Sequence, residues 1–264
     1  MSTSPSPPLF IIGPCALESI EQVKPVVEVA KRHGLSYFRA NLFKPRTSPH
    51  SFQGLGKEGL PVIDYLLDSG MKLVCEACSL EQLEIVQTYA SIVQIGARNM
   101  QNFELLKGIG AAIDFSTSRQ MVMLKRGFSA NIQEWLSSAD YLQRFGVPRD
   151  RIVLCERGSR HWAAPYGMTL DLALAWKVRR ETDYRVIVDP SHGTRESSLV
   201  LPMAGAAQAM GFDGLMLEVH PNPLESLSDP QQAIRPKALD DFLSQPFFHG
   251  EKVDDLGDSP SNHS

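Results

Sequence analysis

The chain has 264 residues, of which 43% are hydrophobic and 21% are charged. This length and composition fit one large globular domain with an ordinary buried core. The formal net charge of -4 argues against nucleic acid or an anionic membrane surface as the main partner.

Eight short runs rich in apolar and β-branched residues recur along the chain. Each run is apolar on both faces of the pleat, as expected of parallel strands buried between a barrel interior and a shell of helices. The runs begin near Leu9, Tyr37, Lys72, Ser91, Met121, Arg151, Arg185 and Gly214.

Amphipathic segments of helical periodicity separate these runs. The segment ESIEQVKPVVEVAKRHG closes with Gly34, and Ser79 with Gln82 three residues later predicts a capping box at the start of another helix. The alternation of strands and helices predicts a single (β/α)8 TIM barrel over residues 9–249. An open doubly wound sheet is the alternative, but no G-x-G-x-x-G motif follows the first strand.

The two ends of the chain have a different composition. Residues 1–8 are rich in Ser and Pro, residues 250–264 are polar and acidic, and we expect both to be disordered tails. The opening MSTSPSPP lacks the pattern of a secretory signal, and no apolar run reaches the roughly 18 residues of a membrane-spanning helix. The four cysteines show no disulfide-framework spacing. We therefore expect a cytoplasmic protein.

A first group of side chains could bind a metal ion. Cys15, His192, Glu218 and Asp229 all lie at predicted strand ends or in the loops that follow them. In a parallel barrel these positions meet at one face. A thiolate, an imidazole and two carboxylates suit Mn, Fe, Co or Zn better than Mg or Ca. The alternatives are a buried hydrophobic Cys15, a loop histidine at position 192, and a salt bridge from Glu218 to a barrel lysine.

A second group is cationic, although the chain is acidic overall. Its members at or near strand ends are Arg39, Lys44, Arg46, Arg98, Lys125 and Arg157. If these side chains converge, they repel one another unless an anion lies among them. Guanidinium groups fit bidentate recognition of phosphate or carboxylate, so the pattern predicts substrates with several negative charges. Separate salt bridges to the helical shell are the alternative.

Seven motifs in order carry a resemblance to a known family. They are GPCALES at 13–19, FKPRTSPHSFQGLG at 43–56, IGARNMQNFELLK at 95–107, LKRG at 124–127, LCERG at 154–158, DPSHGT at 189–194 and EVHPNP…SD at 218–229. Together they resemble the short type I (β subclass) 3-deoxy-D-arabino-heptulosonate 7-phosphate (DAHP) synthases. These enzymes share their barrel with the 3-deoxy-D-manno-octulosonate 8-phosphate (KDO8P) synthases, which typically carry a KANRS-like sequence where this chain has KPRT.

The resemblance implies condensation of phosphoenolpyruvate with erythrose 4-phosphate, the first step of the shikimate pathway. It also implies a divalent metal (Mn, Fe, Co or Zn) on Cys15, His192, Glu218 and Asp229, and a homo-oligomer, either a dimer or a tetramer. For the substrates, it implies that Arg98, Lys125 and Arg157 bind the phosphate of phosphoenolpyruvate. It further implies that Arg39 and Lys44 bind its carboxylate, and that Arg46 and Thr47 contact the phosphate of the aldose. The proton acceptor stays open among Lys44, Glu218 through bound water, and His220.

The chain departs from the family pattern in the loop after His192. The family usually reads GTGRRDLV there, whereas this chain reads GTRESSLV, with Arg195 in place of a glycine. We expect this change at the mouth of the site to affect the affinity for the aldose or the packing of subunits. Two alternative functions follow: the same chemistry on another aldose phosphate such as arabinose 5-phosphate, or a barrel that binds a phosphorylated metabolite without turnover.

Overall fold

The computed structural model describes residues 7–164 and 167–245. Eight parallel strands form a closed barrel. They are β1 (Leu9–Gly13), β2 (Tyr37–Arg39), β3 (Lys72–Glu76), β4 (Ala90–Ile95), β5 (Met121–Lys125), β6 (Ile152–Glu156), β9 (Arg185–Val188) and β10 (Gly214–Glu218). Around the barrel their order is β1-β10-β9-β6-β5-β4-β3-β2. The prediction of a (β/α)8 barrel is confirmed.

The two remaining strands form a short antiparallel hairpin outside the barrel wall, β7 (Ser159–Arg160) with β8 (Met168–Thr169). The hairpin follows β6 directly. The backbone N–H of Arg160 donates to the carbonyl of Phe128 at 2.7 Å, which ties the hairpin to the loop after β5. The hairpin therefore lies at the carboxyl-end face of the barrel.

The helices lie between successive barrel strands and after the last one. They are α1 (Ile20–Arg32), α2 (Leu60–Asp68), α3 (Leu80–Val86), α4 (Phe103–Ala112), α5 (Ile132–Arg144), α6 (Leu172–Glu181), α7 (Pro190–Thr194), α8 (Ser197–Ala209) and α9 (Pro236–Leu243). Within the described ranges no helix is long and apolar enough to cross a membrane.

Only half of the predicted capping box at α3 forms. The hydroxyl of Ser79 accepts from the backbone N–H of Gln82 at 3.2 Å, as predicted. The side chain of Gln82, however, accepts from the N–H of Cys78 at 2.9 Å, one residue before the expected donor. Gln22 in α1 reaches back to Glu18 in the same way, at 3.0 Å.

The core has two layers because alternate residues of each strand point to opposite faces. A small apolar cluster fills the barrel interior, and its members include Leu9, Ile11, Ile92, Ile187 and Met216. A much larger cluster packs the outer strand faces against the helices. All four cysteines are free thiols.

The predicted domain limits are only partly within reach of the structure. The barrel strands run from Leu9 to Glu218, inside the predicted 9–249 domain. Residues 1–6 and 246–264, which include most of the predicted amino-terminal tail and all of the carboxyl-terminal one, lie outside the described residues. The disorder of the tails stays a prediction.

Candidate active site

Three potential metal ligands meet at the carboxyl ends of β1, β9 and β10. Cys15 follows β1, His192 lies in the short helix α7 after β9, and Glu218 is the last residue of β10. One ligand atom from each lies within 4.8 Å of the other two. Strands β1 and β10 are hydrogen-bonded neighbours with Gly13 opposite Glu218, so barrel closure brings together residues about 200 positions apart.

Asp229, the fourth predicted ligand, lies beside this cluster in the loop after β10. Its Oδ2 is 3.2 Å from the Sγ of Cys15 and also pairs with Lys44 at 3.2 Å and Arg46 at 3.3 Å. Burial opposes ionisation of the carboxyl, but the neighbouring Lys44 ammonium outweighs it and the pKa of Asp229 is lowered. Asp229 is therefore an ionised carboxylate shared between the thiol and two cations.

Asp189 holds His192 in position, and sequence reasoning did not single it out. It directly follows β9, is fully buried, and caps α7 by accepting from the backbone N–H of His192 at 3.0 Å. Its other oxygen lies 2.9 Å from the Nδ1 of His192 and 2.6 Å from the Nζ of Lys125. A carboxylate at Nδ1 places the ring proton there and leaves Nε2 free to bind a metal.

Glu218 has one oxygen in use and one without a partner. Its Oε2 accepts from Arg39 at 3.0 Å and from Gln232 at 2.7 Å, with Arg39 and Glu218 each only 1% exposed. Among the described residues, its buried Oε1 has no hydrogen-bond partner. The alternative given for Glu218 from the sequence was a salt bridge to a barrel lysine; the residue that pairs with it is an arginine, Arg39. A buried carboxylate oxygen without a donor costs free energy unless a further group, such as a cation, satisfies it.

The protonation states fit a cation as the missing group. Burial, followed by the charge of Glu218, raises the pKa of Cys15 to about 12, so the thiolate needs a compensating positive charge. Burial also holds the pKa of His192 well below its usual value although Asp189 opposes this, so the ring is neutral. A soft thiolate, a neutral imidazole and carboxylate oxygens together suit a transition metal.

Two adjoining cavities meet at His192, one of the three clustered ligands. They share Lys44, Pro45, Arg98, Phe128, Arg157 and His192. We call the first the inner cavity, which adds Arg39, Asn41, Glu76, Gln94, Gly96, Ala97 and Lys125. The second is the outer cavity, which adds Arg46, Thr47, Ser48, Ser51, Arg160, Met168, Arg195, Asp229 and Gln232.

Both cavities are strongly cationic. Within the described part of the chain, six Lys and Arg side chains line the outer cavity against the single carboxylate of Asp229. Five line the inner cavity against the single carboxylate of Glu76. Part of this charge is already neutralised, because Arg39 and Lys125 pair with the buried carboxylates of Glu218 and Asp189, and Lys44 and Arg46 share Asp229. Among the described residues, the lining cations without a carboxylate partner are Arg98, Arg157, Arg160 and Arg195. Their uncompensated positive charge favours an anion in the cavities.

Three of the arginines surround one aromatic ring. The guanidinium carbons of Arg98, Arg157 and Arg160 lie 5.3, 4.9 and 4.7 Å from the centre of the Phe128 ring. None of the three makes an ion pair with a described carboxylate, and Arg98 also donates to the hydroxyl of Thr47 at 3.4 Å. The ring holds the guanidinium groups together without neutralising them.

The structure places most of the predicted site residues on the walls of these cavities, and Cys15 and Glu218 in the ligand cluster with His192. His220 belongs to neither group. The Nδ1 of His220 accepts from the backbone N–H of Asn222 at 3.1 Å, and its Nε2 lies 3.5 Å from a carboxylate oxygen of Glu18. It lines neither cavity. The sequence analysis did not single out Arg160, although the position of Arg160 two residues beyond CERG was a usable signal.

The chain is similar to known proteins over most of its length. Residues 4–249 match the model of the DAHP synthetase I family. A curated relative from Thermotoga maritima, phospho-2-dehydro-3-deoxyheptonate aldolase, is 41% identical over 226 residues, which are 85% of this chain. The chain spans only 64% of that relative's length.

A solved structure and a second kind of relative complete the comparison. The crystal structure of the Thermotoga maritima phospho-2-dehydro-3-deoxyheptonate aldolase (DAHP synthase) superposes with a TM-score of 0.81 at 38% identity, over 89% of this chain and 67% of the other. A 2-dehydro-3-deoxyphosphooctonate aldolase from Fusobacterium nucleatum is 30% identical, over 89% of this chain and 87% of its own. The barrel, its site and the match over residues 4–249 show that this chain belongs to the DAHP synthetase I family.

Proposed function

We propose that the protein condenses phosphoenolpyruvate with erythrose 4-phosphate to give DAHP and phosphate, as the first step of the shikimate pathway. The observation that carries this proposal is the pair of adjoining cationic cavities that meet at one cluster of metal ligands. Two phosphorylated substrates need two anion sites with their reacting carbons between them. The relative with the higher identity is named for the heptonate reaction.

Phosphoenolpyruvate would occupy the inner cavity. Lys125, Arg98 and Arg157 would bind its phosphate, and Lys44 with Arg39 would bind its carboxylate. Lys125 and Arg39 are held in place by buried ion pairs, to Asp189 and Glu218 respectively. Fixed cations of this kind orient a substrate without ordering flexible side chains at the moment of binding.

The aldose phosphate would enter through the outer cavity, with Arg46 and Thr47 at its phosphate. Its aldehyde carbon would then lie toward Cys15, His192 and Asp229, where the two cavities join. In the reaction, C3 of phosphoenolpyruvate forms a bond to the aldehyde carbon. Water attacks C2, and the C–O bond to phosphate breaks.

The proposed metal ligands are Cys15, His192, Glu218 and Asp229, for Mn, Fe, Co or Zn. When bound, the ion supplies Lewis-acid polarisation of the aldehyde oxygen. Asp229 already accepts from Lys44 and Arg46, so it would exchange part of these ion pairs for the metal. Asp189 would keep the Nε2 lone pair of His192 directed at the ion.

Among the candidates for proton transfer, Lys44 suits the role of acid. Burial opposes its charge, but Cys15 and Asp229 outweigh burial and raise the pKa of Lys44 above its usual value. It is therefore protonated at neutral pH and can donate to oxygen that develops negative charge. Glu218 remains a candidate for accepting the proton of water. The geometry adds Glu76, the single described carboxylate of the inner cavity, whose Oε2 accepts from Gln94 at 3.0 Å.

The proposal is tested by following the loss of phosphoenolpyruvate absorbance with erythrose 4-phosphate. Chelator-treated protein should be inactive, and Mn²⁺ should restore turnover. Arabinose 5-phosphate in the same assay tests the alternative suggested by relatives named octonate aldolases at 26–30% identity. Binding of phosphoenolpyruvate without turnover of either aldose, in metal-loaded protein, would contradict an enzymatic role.

A homo-oligomer, either a dimer or a tetramer, and a cytoplasmic location are part of the proposal. Two large apolar side chains in the loop after β10 are exposed, Leu224 at 86% and Leu227 at 54%. Clusters of exposed apolar side chains are typical of protein interfaces. The mass in solution, measured by light scattering, tests the oligomer, and a monomer would contradict it.

A further inference from the structure

Arg195 adopts a backbone conformation that an arginine rarely adopts. It caps the carboxyl end of α7 with φ of 57° and ψ of 23°, the left-handed region that favours glycine. Within the described residues, only Arg195 and Asp229 have positive φ among non-glycines, and both line the outer cavity. This conformation is unfavourable for a residue with a Cβ, and such strain is typically found at functional sites.

The side chain of Arg195 is exposed and has no neutralising partner. In the described part of the chain its guanidinium makes no ion pair, hydrogen bond or ring contact. Its backbone N–H donates to the carbonyl of Ser191 at 3.1 Å, which fixes the position from which the side chain extends. The free cation therefore faces a cavity that already holds a surplus of positive charge.

The lining residues of the two cavities indicate which anion Arg195 can contact. Lys125 and Arg39 line only the inner cavity, whereas Arg195, Arg46 and Thr47 line only the outer one. Arg195 arrives from the loop after β9, and Arg46 from the loop after β2. An anion in the outer cavity can thus be contacted by cations from two separate loops.

We propose that Arg195 binds the phosphate of the aldose phosphate together with Arg46 and Thr47, and so favours a phosphorylated second substrate. This inference rests on the proposed function. It assigns to Arg195 a role in substrate specificity. The glycine that the family pattern has at this position has no side chain and cannot perform this role. A second guanidinium adds charge-assisted hydrogen bonds to the same phosphate.

The test compares Arg195→Gly and Arg195→Lys with the parent protein, and Arg144→Ala serves as a control. Glycine suits positive φ, so Arg195→Gly should fold and melt at a temperature no lower than the parent. Arg144 is exposed at the end of α5 and lines neither cavity. Arg144→Ala therefore removes one positive charge, as Arg195→Gly does, without changing either cavity.

In steady-state kinetics with Mn²⁺, Arg195→Gly should raise the KM for erythrose 4-phosphate about 10- to 100-fold. The KM for phosphoenolpyruvate should change less than about twofold, because the inner cavity keeps all of its cations. Arg195→Lys should recover part of the loss, since it keeps the charge but not the bidentate geometry. Arg144→Ala should match the parent.

An unchanged KM for erythrose 4-phosphate in a folded, active Arg195→Gly variant would overturn the inference and leave the proposed function standing. An equal rise in both KM values would also overturn it. If the metal-loaded parent turns over no aldose phosphate, the proposed function fails. Inorganic phosphate binding by calorimetry then tests the contact, and equal affinity of the parent and Arg195→Gly would refute it.

Discussion

Replacing Asp189 tests how one buried carboxylate supports both Lys125 and His192. One oxygen caps α7, and the other lies between Lys125 and the Nδ1 of His192. The change Asp189→Asn keeps the size and one acceptor oxygen, which can still cap the helix. The amide that replaces the second oxygen cannot accept from either Lys125 or His192, so both lose their partner.

The magnitude follows from burial. Lys125 is 4% exposed and Asp189 is fully buried, and breaking a buried pair leaves an uncompensated charge at a cost of about 3–5 kcal/mol. Because Lys125 lines the inner cavity, water can reach part of its charge, so we expect about 3 kcal/mol of lost unfolding free energy. The amide also drives the His192 proton onto Nε2, and we expect metal affinity to fall about 10- to 100-fold.

Two measurements check these effects. Urea denaturation of metal-free protein reports stability, and competition with a chromogenic chelator reports Mn²⁺ affinity. The double variant Asp189→Asn with Lys125→Met should recover stability, because it removes the unpaired charge, but should not recover metal affinity. A stability loss under about 1 kcal/mol together with parent-like metal binding would refute this account of Asp189.

Three further changes test other features of the structure. Cys15→Ser should keep the fold and greatly lower metal affinity and turnover, so full activity would remove Cys15 from the site. Gly96→Ala should lower kcat, because its Cβ would lie 2.0 Å from an oxygen of Glu76 and displace that carboxylate, and parent-like kcat would exclude Glu76 from the chemistry. The hydrogen bond from His33, the main cause, lowers the pKa of the half-buried Asp240 below its usual value. Asp240→Asn should therefore lower the melting temperature slightly at pH 7, and the difference should vanish once the pH falls below the lowered pKa; an equal difference at pH 2 would contradict this.

Local sequence patterns were sufficient for the fold. Apolar runs that alternate with amphipathic segments specify strands and helices through side-chain periodicity, and the predicted strand starts match β1 to β6, β9 and β10 closely. The placement of cations and metal-ligand residues at strand ends was equally local. It predicted convergence because all parallel strands of a closed barrel end at one face.

Only the tertiary structure decided how those residues pair. Contacts across the barrel mouth between residues distant in sequence determine that Arg39 pairs with Glu218 and that Lys125 pairs with Asp189. The division into an inner and an outer cavity, the position of Glu76 and the turning of His220 toward Glu18 depend on the same packing. Charge and spacing along a chain state which groups need partners, but barrel closure sets the distances that select one partner among several. Sequence therefore determined the chemistry available at the mouth, and packing determined which cations are neutralised and which, such as Arg195, have no carboxylate partner among the described residues.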